Sequence, residues 1–71
     1  MSTVQEMFNL PDREAKRLGF IVSDPYQKPN RSSDVSLKKL GLIEFFDGVY
    51  VGMVPTTKLE KILEQGVQVY D

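Results

Sequence analysis

The sequence of 71 residues contains no histidine, no cysteine and no tryptophan. Without histidine and cysteine, the chain lacks the commonest general base, the thiol nucleophile and the usual zinc ligands. Its acidic residues are not spaced to place two carboxylates on one rigid face, and no phosphate-binding glycine loop is present. We therefore predict that the protein is not an enzyme, and that it has no catalytic residues, no metal site, no cofactor and no small-molecule substrate.

Long apolar runs are also missing. No stretch approaches the roughly 20 apolar residues that a membrane-spanning helix needs. Residues 1–10 are neither basic nor continuously apolar, as a secretory signal would be. With 41% hydrophobic and 27% charged residues, the composition is that of a folded domain. We expect a single soluble domain over residues 1–71, located in the cytoplasm and without membrane contact.

Apolar spacing and glycines predict three short helices, each closed by a glycine and followed by a β-like run. Thr3 to Glu6 have the spacing of a capping box for a first turn. This first helix is predicted to restart at residues 9–12, where a proline is tolerated, and to end at Leu18 with Gly19 as its cap. A second helix begins at Ser32 or Ser33 and a third at a capping box over residues 57–60. These two helices are predicted to close at Gly41 and Gly66, and short strands are predicted at residues 20–22 and at Val67 and Val69.

A β-hairpin at residues 42–54 is the clearest local signal. Two apolar runs flank Asp47-Gly48, a dipeptide typical of two-residue hairpin loops, and that loop would pair Phe45 with Tyr50. The predicted fold is therefore α+β, with three short helices, a central hairpin and short flanking strands. Both hairpin faces are apolar, and three short helices can cover only one of them. The surplus predicts a partner site or a homo-oligomer interface, unless the terminal strand and N-terminal helix wrap the second face.

The loop before the second helix contains two prolines around Tyr26, at positions 25 and 29. Prolines reduce the entropy lost on binding, and a tyrosine ring suits an interface anchor. Alternatively, Tyr26 folds back over the hairpin. We interpret the chain as a small binding or regulatory module whose partner is a protein, or a second copy of itself. The residues predicted to contact this partner are Tyr26, Lys28, Arg31, Phe45 and Tyr50.

Charge separates along the chain although the net charge is only −1. Residues 13–39 carry seven basic and three acidic side chains, whereas residues 40–71 carry two basic and five acidic ones. A helix ending in Lys38-Lys39, followed by Gly41 and a two-stranded ribbon, resembles the recognition helix and wing of winged-helix DNA-binding domains. The resemblance implies an alternative function, nucleic-acid binding by the basic segment through Arg31, Lys38 and Lys39. The pI near 5.3 favours the protein partner instead.

Overall fold

Four helices and one two-stranded antiparallel hairpin form the described chain, residues 2–71 of a computed structural model. The predicted α+β class and the central hairpin are confirmed. The elements, in chain order, are α1 Val4–Phe8, α2 Asp12–Ser23, α3 Arg31–Lys39, β1 Ile43–Asp47, β2 Val51–Pro55 and α4 Thr57–Glu64. There is one helix more than predicted, because left-handed Asn9, at φ 54°, divides the first predicted helix into α1 and α2 within its predicted restart at residues 9–12.

Helix α2 continues past Gly19, so the cap and strand predicted there are wrong. Leu18 and Ile21 are both fully buried, and their helical spacing continues the apolar stripe beyond the glycine. A β-carbon at position 19 would lie 2.8 Å from the Tyr70 ring, so this glycine makes room for an aromatic neighbour. Burial and packing therefore outweigh the local preference of glycine for helix ends.

The strand predicted at Val67 and Val69 is absent as well. Residues 67–69 are irregular, but their backbone carbonyls form hydrogen bonds with α1. The carbonyls of Gln68 and Val69 accept from the amides of Val4 and Gln5, each at 2.9 Å. The first amides of a helix have no partner within the helix. The C-terminal segment therefore supplies acceptors to α1 instead of joining the hairpin.

Helix caps agree with the sequence only in part. The capping box of Thr3 with Glu6 is confirmed, and Gly41 and Gly66 close α3 and α4 with φ of 76° and 87°. The N-caps of α3 and α4 lie one to three residues earlier than predicted. Asn30 accepts from the Ser32 amide instead of a serine capping α3, and Thr56 accepts from the Leu59 amide instead of Thr57 capping α4.

The hairpin register differs from the predicted one. Phe45 pairs with Met53 and Asp47 with Val51, so residues 48–50 form the loop. A type I′ turn at Asp47-Gly48 needs positive φ at both residues, and neither has it. In the observed register Met53 lies on the same face as Phe45 and is buried against the helices. The predicted register differs by three residues, an odd number, and would place Met53 on the opposite face from Phe45.

The core lies between the helices and the base of the hairpin. Its largest fully buried side chains include Leu18, Ile21, Leu37, Leu42 and Leu59. Helix α1 packs on α2, and the distal half of the hairpin extends beyond this core with exposed side chains on both strands. Within residues 2–71, no helix has the length and apolar character needed to cross a bilayer. The cytoplasmic location stays a prediction.

Candidate functional site

The proline-containing loop is fixed against the outer edge of the hairpin. The Tyr26 amide donates to the Met53 carbonyl at 2.9 Å, and the Met53 amide donates to the Gln27 carbonyl at 2.8 Å. Gln27 and Met53 thus form an isolated antiparallel bridge, so a short piece of the loop lies beside β2 as a third strand would. This pairing covers one edge of the sheet and determines where the Tyr26 side chain is presented.

Tyr26 and Gly52 meet through an unusual backbone arrangement. Tyr26 has φ +71°, which non-glycine residues rarely adopt, and Gly52 has φ +152°. A β-carbon on Gly52 would lie 2.4 Å from the carbonyl carbon of Tyr26. The glycine therefore allows the loop backbone to lie directly on β2, and the two backbone hydrogen bonds stabilise Tyr26 in its costly conformation.

An exposed aromatic cluster results on the outer face of the hairpin. The ring centroid of Tyr26 lies 6.0 Å from that of Phe46 and 5.3 Å from that of Tyr50. All three rings remain substantially exposed, and Val49 in the adjoining loop is 92% exposed. We call Tyr26, Phe46 and Tyr50 the outer aromatic patch. Aromatic pairs at such distances attract each other beyond their burial, so the patch is preorganised.

A second apolar surface lies on the opposite, inner face. A cleft of about 300 Å³ separates α3 from the hairpin. Val35 and Lys38 on α3 face Phe45 and Met53 on the strands, and Arg31 lies at the start of the same α3 wall. Phe45 is 47% exposed and Val35 is similarly open. We call this surface the inner cleft.

The wall of the inner cleft is anchored by an ion pair. Arg17 on α2 donates to both carboxylate oxygens of Asp34 on α3, at 2.9 and 3.1 Å. Asp34 also accepts from the Asn30 amide at 2.8 Å, and Arg17 donates to the Lys28 carbonyl. Because this buried carboxylate is already neutralised, the cleft presents the positive charges of Arg31 and Lys38.

Comparison of the chain with protein-family models, curated proteins and solved structures gives no match. Function must therefore be inferred from the surfaces themselves. Within residues 2–71, no three acidic side chains cluster in a way that could hold a metal ion.

The predicted contact residues divide between the two faces. Tyr26 and Tyr50 meet in the outer aromatic patch, whereas Phe45 and Arg31 line the inner cleft. Lys28 is exposed and contributes its carbonyl to Arg17, outside both surfaces. The Tyr26 ring contacts the hairpin, as one of the two alternatives predicts, and it is still 43% exposed. Its contact with a partner stays a prediction.

Sequence reasoning missed Phe46, Val35 and Val49. The predicted two-residue loop would place the side chains of Phe46 and Met53 on the same face of the hairpin. In the structure Met53 is buried on one face, and Phe46 is exposed on the other. Val35 follows Arg31 by four residues and precedes Lys38 by three, a spacing that places all three on one helix face. That spacing was a readable signal for the inner cleft.

The residues predicted to bind nucleic acid are exposed but do not share one surface. Arg31 and Lys38 border the inner cleft, whereas Lys39 lies on another side of α3 beside Leu10 and Pro11. The hairpin tip, which corresponds to the wing, carries Asp47 and no basic side chain. A phosphate backbone tracking along both α3 and this tip would therefore meet a carboxylate.

Proposed function

We propose that this chain is a non-catalytic binding module that contacts a partner protein through the outer aromatic patch. The observation that supports this most directly is the exposure of three clustered aromatic rings on a fixed scaffold. Tyrosine and phenylalanine are enriched at the centres of protein interfaces, where they bury large areas at low entropic cost.

The backbone around the patch also favours a binding role. Tyr26 is held at positive φ although nothing in the core requires its ring, which lies at the surface. Such strained residues are concentrated at functional sites, because the rest of the fold must compensate for their cost. A patch already formed in the free protein loses little entropy on binding.

Site-specific photo-crosslinking tests the proposal. A photoreactive phenylalanine analogue replaces Tyr50 in one variant and Phe20 in another, and both variants are irradiated in an extract of the source cell. The two positions are matched, since Tyr50 is 65% exposed and Phe20 on α2 is 63% exposed. We expect a discrete protein adduct from position 50 and none from position 20.

Competition supplies the control. Excess unlabelled protein should suppress the adduct. Excess Tyr26→Ser/Tyr50→Ser variant should not, because it lacks two of the three rings of the patch. This variant should still fold, since exposed rings can be removed without unfolding the chain. Equal labelling from positions 20 and 50, or no discrete adduct from either, would contradict the proposal. An adduct at twice the chain mass of 8.1 kDa identifies a second copy rather than another protein.

Nucleic-acid binding stays a prediction with its own measurement. It requires affinity for a DNA duplex that falls steeply with salt, as counterion release dictates, and that is lost when Arg31, Lys38 and Lys39 become alanine. Fluorescence anisotropy with a labelled duplex at several salt concentrations separates it from the protein-binding proposal. A module that binds only protein shows no duplex affinity.

A further inference from the structure

A shallow groove extends the outer aromatic patch along the outer face of the hairpin. Tyr26 and Phe46 of the patch line it together with Val54 and Pro55 of β2, and its volume is about 370 Å³. Glu44 lines it too, since it pairs with Val54 and lies on the same strand face as Phe46, two residues away. Aromatic rings, apolar side chains and a carboxylate therefore share one concave surface.

The charge of this groove is of one sign. Its two charged lining residues are Glu44 on β1 and Glu60 on α4, and both are exposed. Neither takes part in an ion pair among residues 2–71, where the pair present is Arg17 with Asp34. Both carboxylates are consequently available to a cation, and both would repel a phosphate backbone. We call this surface the acidic groove.

An arginine side chain combines the properties that the acidic groove requires. Its planar guanidinium stacks on the faces of aromatic rings and donates paired hydrogen bonds to carboxylates. Its apolar stem packs well on side chains such as Val54 and Pro55. A lysine ammonium supplies the charge but neither the flat stacking surface nor the paired donors.

We propose that the acidic groove binds an arginine side chain of the partner protein. In this complex the guanidinium lies against the rings of Tyr26 and Phe46 and pairs with the carboxylates of Glu44 and Glu60. The inference rests on the proposed function, and it gives the partner's contact segment its chemistry: that segment is basic and contains arginine.

Titration of the isotope-labelled chain with short peptides, followed by NMR, tests this assignment. The probe is acetyl-Gly-Arg-Gly-amide, and two comparison peptides carry citrulline or lysine in place of arginine. Citrulline keeps the shape of arginine without its charge. We expect the arginine peptide to shift the amide signals of Tyr26, Glu44, Phe46 and Glu60, the lysine peptide to bind more weakly, and the citrulline peptide to leave these signals unchanged.

Two double variants supply the matched comparison. Glu44→Gln/Glu60→Gln keeps the side-chain shapes and removes both charges, so it should bind the arginine peptide at least about tenfold more weakly. Glu14→Gln/Glu64→Gln removes the same charge at two carboxylates that do not line the groove, so it should bind as the unmodified chain does. The amide spectrum of each variant verifies that it is folded.

Four results would overturn the proposal. They are an absence of shifts at the acidic groove, equal shifts from the arginine and citrulline peptides, a lysine peptide that binds as tightly as the arginine peptide, and an equal loss of affinity in the two double variants.

Crosslinking from position 50 separates this proposal from the partner-protein function. The adduct yield should fall several-fold in the Glu44→Gln/Glu60→Gln background and persist in the Glu14→Gln/Glu64→Gln background. An adduct undiminished in both backgrounds would overturn the arginine assignment and leave the partner-protein function standing. An unmodified background without an adduct would contradict the partner-protein function, whereas the peptide titration decides the chemistry of the groove independently.

Discussion

At the level of single residues, Tyr26 and Gly52 determine where the outer aromatic patch forms. Their backbones lie in direct contact, and both have positive φ. The sequence predicted a role for Tyr26 from its proline-rich loop, but not the role of Gly52, whose close approach depends on a residue 26 positions earlier. The exposure of Phe45 and Tyr50 agrees with the predicted surplus of apolar surface on the hairpin.

Gly52→Ala should destabilise the protein by about 2 kcal/mol, because a β-carbon would collide with the Tyr26 carbonyl in a backbone region that L residues avoid. Urea unfolding measures the loss, and crosslinking from position 50 should weaken as the loop is displaced. Gly66→Ala is the control. It also has positive φ but nothing lies within 4 Å, so it should cost only about 1 kcal/mol.

At the level of elements, local chemistry identified the hairpin and the helices but not all of their boundaries. The capping box at Thr3 and the closing glycines at positions 41 and 66 depend on neighbouring residues only, and these predictions are confirmed. The continuation of α2 past Gly19 and the hairpin register depend on which side chains become buried. Those choices are made by tertiary packing, which a short sequence window does not contain.

Thr56→Ala should destabilise the fold by about 1 kcal/mol, whereas Thr57→Ala should change stability by less than about 0.5 kcal/mol. Thr56 caps α4, and its hydroxyl also donates to the Gly41 carbonyl, so it links α4 to the end of α3. Thermal unfolding of the two alanine variants compares them directly. A larger effect at Thr57 would mean that the cap predicted from the sequence is the true one.

At the level of the whole molecule, a small core is supplemented by a polar link between α2 and α3. Arg17 contacts Asp34 and the Lys28 carbonyl, so one guanidinium joins both helices and the loop between them. Arg17 follows Glu14 by three residues, and such helical spacing is visible in a sequence, whereas a contact with a residue 17 positions later is not. For a domain this size, total stability is only about 5 kcal/mol, and one such link is a large share of it.

Arg17→Met should cost about 3 kcal/mol, because it leaves the buried Asp34 carboxylate without its counter-charge. Arg17→Met/Asp34→Asn should recover part of that loss, since the neutral amide oxygen can still accept from the Asn30 amide. Denaturant unfolding of the two single variants and the double variant gives the coupling free energy. Additive losses would show that the two side chains act independently.

The hydrogen bonds between residues 4–5 and residues 68–69 place the two described ends of the chain side by side. A polypeptide that enters and leaves a fold at one point can be spliced into a surface loop of a host protein without forcing the host's own loop ends apart. Joined through short connectors, this domain should therefore fold within a host loop and leave the host structure intact.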